Sequence, residues 1–160
     1  MRRNELNTVR IYNMLFPMWL FFLFPSPIWL LILPGNFLID SAVIWFTLRA
    51  SHKDSIKYIW KKSILRVWLV GFFCDIIGAL LILGIYLLTG ELFPQWDIFH
   101  FPGTTIISIP GVILAGVLIY FINRKVSFVY TDLSEGQKKY LAFSIALYTA
   151  PYLMLVPLYG

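Results

Sequence analysis

The apolar residues of this chain gather in five long runs separated by short polar stretches. This is neither the strict alternation of a half-buried strand nor the single apolar stripe of a surface helix. The runs cover 11–24, 28–48, 67–89, 104–122 and 140–158. About twenty apolar residues cross the roughly 30 Å hydrocarbon core as a helix. The pattern therefore predicts an all-α integral membrane protein, a single polytopic domain with a bundle of about five transmembrane segments. Segments 49–66 and 123–139 become loops on one side of the membrane, and 90–103 a loop on the other.

Prolines punctuate this pattern. The first run has only fourteen residues, about 21 Å as a helix, and stops at Phe24-Pro25-Ser26-Pro27, where each proline disfavours helix at the residue before it. It is expected as a short tilted span or a re-entrant segment. Pro34-Gly35 interrupts the second run, Pro110-Gly111 the fourth, and Pro151 lies inside the fifth. Pro34 stands fifteen residues before Arg49 and Pro110 fourteen before Arg124, which suggests a repeat whose second and fourth spans are equivalent helices broken near their outer ends. In transporters, helices interrupted at matching places flank the substrate site. The plainer alternative is that both prolines only kink helices whose freed carbonyls find partners nearby. Ser134 with Gln137 three residues on fits a capping box ahead of the fifth span.

Charge sets the orientation. All thirteen Lys and Arg lie in three blocks, Arg2 to Arg10, Arg49 to Arg66 and Arg124 to Lys139. A cytoplasmic N-terminus and five crossings put every block in the cytoplasm, as the positive-inside rule requires. The FPSP turn, the 90–103 loop and the C-terminus then fall outside, in a plasma membrane, and none carries a Lys or Arg. The net charge of +5 thus reflects sidedness, and no nucleic-acid partner is expected. Composition agrees: 13% of residues are charged and 59% hydrophobic, against roughly 25% charged in soluble domains. The single Cys74 excludes an intramolecular disulfide and a multi-cysteine zinc site. Arg2 and Arg3 precede an apolar stretch without a small-residue cleavage site, so the N-terminus is expected to be retained.

Against this background two acids stand out, Asp40 in the second span and Asp75 in the third. Asp40 is nine residues before Arg49 and Asp75 nine after Arg66, which places each about 13 Å above a boundary drawn through those arginines. Asn36, Asp40 and Thr47 form one polar stripe, while Gly71, Cys74, Asp75 and Gly78 form a small-residue face of the kind that packs closely in membranes. A charged Asp at the helix centre costs about 2.5–3.5 kcal/mol on insertion scales. The pair is expected to hold a proton, a small cation, or each in turn. A protonated Asp that merely ties two helices together is the structural alternative. Intramembrane aspartyl proteases also place two aspartates on neighbouring helices, but their Tyr-Asp and Gly-x-Gly-Asp motifs do not match Ile39-Asp40 and Phe73-Cys74-Asp75.

The remaining candidates are weaker. Asp97 and His100 share the external loop with Glu91, a spacing too loose for a metal site; Phe93, Trp96, Phe99 and Phe101 suit an aromatic belt at the interface. Lys53, Lys57 and Lys61 fall on one helical face with Ile56, Ile59 and Trp60 interleaved, as in a short interfacial helix resting on anionic lipid of the cytoplasmic leaflet. No phosphate-binding glycine loop, zinc-protease motif or nucleophile elbow occurs, so no cofactor and no enzymatic activity is expected. The expected function is a proton- or cation-linked transporter or channel built on Asp40, Asp75 and Asn36. So few helices enclose a path only with a second copy or a partner subunit. The alternative is a non-transporting accessory or assembly subunit of a membrane complex.

Overall fold

The computed structural model describes residue 20 and residues 22–24, 27–51, 55–89 and 101–156. Every regular element among them is helical: α1 (Trp29–Ala50), α2 (Ile56–Thr89), α3 (Gly103–Ile122) and α4 (Glu135–Thr149). A π-helical turn, Asn123–Ser127, extends α3, and a 3-10 turn, Tyr152–Leu155, follows α4. Each helix packs on its sequence neighbours and α4 closes against α1, giving a ring of four. Trp29–Ala50, Ile56–Thr89 and Gly103–Ser127 are long and apolar enough to cross a membrane. Large apolar side chains such as Leu30, Leu31, Phe46, Phe73 and Leu88 stand exposed along their outer faces, a surface suited to lipid rather than water. Most of the first expected segment, and the 90–100 loop with Glu91, Asp97 and His100, lie outside the described residues.

Several sequence expectations change here. Pro34-Gly35 and Pro110-Gly111 do not break their helices; α1 and α3 run through both. Each proline costs its helix one backbone hydrogen bond, and the packed bundle tolerates that loss. Gly111 has another use. It meets Gly78 of α2 where the two helices cross: a methyl group on Gly78 would stand 2.7 Å from the Gly111 carbonyl, and one on Gly111 would stand 2.6 Å from the Gly78 carbonyl and collide with Ile82. Of the small-residue face of α2, Gly78 is thus used against α3, and the α2–α3 contact is the most extensive in the bundle.

The basic stretch before the third span is not a separate interfacial helix either. Residues 56–89 form one helix of 34 residues, about 51 Å long. The helix therefore starts ten residues before Arg66. Arg66 lays its guanidinium over the Tyr130 ring, 4.5 Å from the centroid.

The helix that stops at its proline is α4, in the last apolar run. Ser134 caps α4 as expected, accepting from the Gln137 amide at 3.3 Å while the Gln137 side chain accepts from the Ser134 amide at 3.2 Å. Ten residues beyond Lys139, at Thr149, the helix stops. Ala150 is extended (φ −55°, ψ 147°), the conformation that a following proline favours. Ser134→Ala removes this cap and is expected to cost about 1 kcal/mol, read as a lower melting temperature in detergent with no change in ligand response.

Candidate functional site

Asp40 and Asp75 are both buried, 3% and 2% exposed. Different devices hold each. Asp40 lies at the centre of α1 with its carboxyl against Gly71 of α2, where a methyl group would stand 3.8 Å from Oδ2; a larger residue at 71 would fill the space the carboxylate uses. The Thr149 side chain, in the last turn of α4, sits beside the same carboxyl. Its hydroxyl donates to the Ile145 carbonyl at 2.9 Å. Asp75 is close enough to Asp40 to interact with it electrostatically, and its Oδ1 is a buried atom without a hydrogen-bond partner.

The two acids line one cavity of about 280 Å³ together with Asn36, Gly71, Thr149 and Pro151. They reach it from unequal distances along their helices. Asp40 is ten residues before the end of α1 and Asp75 nineteen after the start of α2, yet Asp40 Oδ2 lies against Gly71, about one turn from Asp75 on α2. What joins the carboxyls is the cavity. Its remaining wall includes Phe22, Phe72, Tyr148 and Tyr152, and among the described lining residues there is no Lys, Arg or His.

No protein-family model, curated protein or solved structure matches this chain. The chemistry must be read from the site. Three features there offer oxygens to a cation: Asp40, Asp75 and the C-terminal end of α4, whose last residues Tyr148 and Thr149 form part of the wall. The last turn of a helix holds carbonyls without intrahelical partners and the negative end of its dipole. The Tyr152 hydroxyl donates to one of these carbonyls, that of Leu147, at 2.7 Å. A buried site of this polarity favours a cation or bound protons, and discontinuous helices whose C-terminal ends face the ion are a recurrent way of holding one.

Of the other residues singled out from the sequence, Asn36 joins the cavity wall, whereas Pro34 lies outside it and no contact surrounds Gly35 within 4 Å of an added methyl. Pro110 is exposed on α3 and Gly111 belongs to the α2–α3 crossing. Lys57 and Lys61 line an outward-facing groove with Ser41, Trp45 and Trp60, a mixture of ammonium and indole groups that suits a lipid headgroup region. Lys53 lies outside the described residues.

Sequence reasoning missed the contribution of α4. Thr149 and the helix end beside it belong to the site, and their signal was Ala150-Pro151, which a broad apolar average across 140–158 conceals. It also missed the π turn after α3, where the buried Asn123 accepts from Ser127 Oγ at 2.5 Å.

Proposed function

We propose that this chain is a small membrane protein whose buried acid pair, Asp40 and Asp75 with Asn36 beside them, binds protons or a cation in the course of transport across the plasma membrane. In this reading it has five membrane segments, a cytoplasmic N-terminus and an external C-terminus, and completes its path with a second copy or a partner subunit. One observation carries the reading: two carboxyls and the end of α4 converge on one cavity, whereas a mere structural tie would pair each carboxyl with a donor. Asp75 Oδ1 has no such partner.

The test is the melting temperature of the full chain in detergent, with pH and the identity of the salt cation varied. A ligand that binds only the folded state raises it. Wild type is expected to be stabilised by protons or by one cation, and the Asp40→Asn, Asp75→Asn double variant to lose that response. Identical responses in the two proteins would make the aspartates structural ties and favour a non-transporting accessory subunit, to be sought by co-purification of a larger partner.

A further inference from the structure

We infer that the cavity between α1, α2 and the end of α4 takes a primary organic ammonium group carrying an apolar substituent. The inference rests on the cation-site reading above and specifies its ligand. A proton needs no cavity, and a bare inorganic ion needs little of one. The space here is about 280 Å³, whereas a water molecule accounts for about 30 Å³ of liquid. The wall is divided by chemistry. Asp40, Asp75 and Thr149 form an acidic end, and one oxygen of the buried Asp75 carboxyl, Oδ1, has no partner; a primary ammonium offers three donors to the carboxyl and hydroxyl oxygens of that end. Phe22, Phe72, Tyr148 and Tyr152 supply aromatic surface, which packs an apolar substituent and whose ring faces attract an organic cation. The phenol of Tyr152 is tied to the Leu147 carbonyl, which restrains that ring in the wall. The cavity reaches the bundle surface beside Ile39, Tyr148 and Leu153, all exposed, so an amphiphilic amine has a route in from the lipid side.

The probe is benzylammonium, with benzyl alcohol as its uncharged counterpart, titrated against the full chain in a neutral maltoside detergent. Benzylammonium is expected to raise the melting temperature of wild type saturably, by roughly 5 °C at a hundredfold excess over its Kd. Benzyl alcohol should raise it far less. Asp75→Asn and Asp40→Asn should each weaken benzylammonium at least about tenfold, the loss of about 1.4 kcal/mol expected for removing a charged hydrogen-bond partner. Tyr148→Ala, at a position 66% exposed and so safe for folding, should weaken it severalfold. Equal stabilisation by benzyl alcohol would overturn the inference, because it reports an apolar void. So would a wild type that responds to protons or sodium but not to benzylammonium; that result leaves the cation-site reading standing. No response to any of them removes both. Nanodiscs separate the two sources of such an amine. If exchange of phosphatidylglycerol for phosphatidylethanolamine stabilises wild type but not the double variant, the ammonium is a lipid headgroup; if only added benzylammonium does so, it is a free amine.

Discussion

Gly111→Ala is expected to lower the melting temperature of the protein in detergent by roughly 5–10 °C, the equivalent of about 2–3 kcal/mol. The reason is steric and local. The added methyl meets the Gly78 carbonyl at 2.6 Å and the Ile82 side chain more closely still. Ile82 is fully buried and the other obstacle is backbone, so neither yields without moving a helix. Gly78→Ala meets the Gly111 carbonyl at 2.7 Å and the Ala115 methyl at 3.1 Å and should do similar damage. Gly35→Ala and Gly84→Ala serve as controls, since nothing lies within 4 Å of either new methyl; replacing a helical glycine there should be neutral or mildly stabilising. If Gly111→Ala melts with wild type, α2 and α3 do not cross at this pair.

Asp75→Asn is expected to reduce proton- or cation-driven uptake into liposomes to the level of protein-free vesicles while leaving expression and elution volume unchanged. Asparagine keeps the shape and can still hydrogen-bond, but it neither ionises nor neutralises a cation. Asp40→Asn should have the same effect, because the two carboxyls share one cavity and a cation held between them would feel the loss of either. A pair of purely structural aspartates predicts the reverse pattern, with flux unaffected and melting temperature lowered. The comparison that sinks transport is therefore unchanged flux in both single variants.

The two experiments touch different interfaces. Gly78 and Gly111 hold α2 to α3, and the aspartates face the space between α1, α2 and α4. Gly78 and Asp75 nonetheless stand one turn apart on α2, which lets the packing of one helix on α3 set the position of the acid. Damage at Gly111 that also alters cation response would report that coupling directly.

Much of this was legible in the sequence because membrane helices obey simple rules. Runs of apolar residues must be helical in lipid, where every backbone polar group needs an internal partner; the three long helices follow from that. An acid inside such a run is costly enough to stand out, so Asp40, Asp75 and the small face around Gly78 announced themselves. The capping box at Ser134 is local in the chain and was equally readable.

What only the tertiary structure decided concerns relations between helices. Proline position alone does not say whether a helix breaks: α1 passes through Pro34 and α3 through Pro110, while α4 ends one residue before Ala150-Pro151. Pro34 and Pro110 stand exposed on helices that continue, whereas Pro151 is buried where α4 ends, and no local spacing records that. The basic stretch was hidden in the same way, because a helix that begins at Ile56 continues unbroken past Arg66. The chain by itself determined that it is helical, apolar on its outside and acidic at two points within. Only the packing of α4 against α1 brought a helix end, a threonine and two carboxyls to one cavity, because that convergence depends on contacts between residues up to about a hundred positions apart.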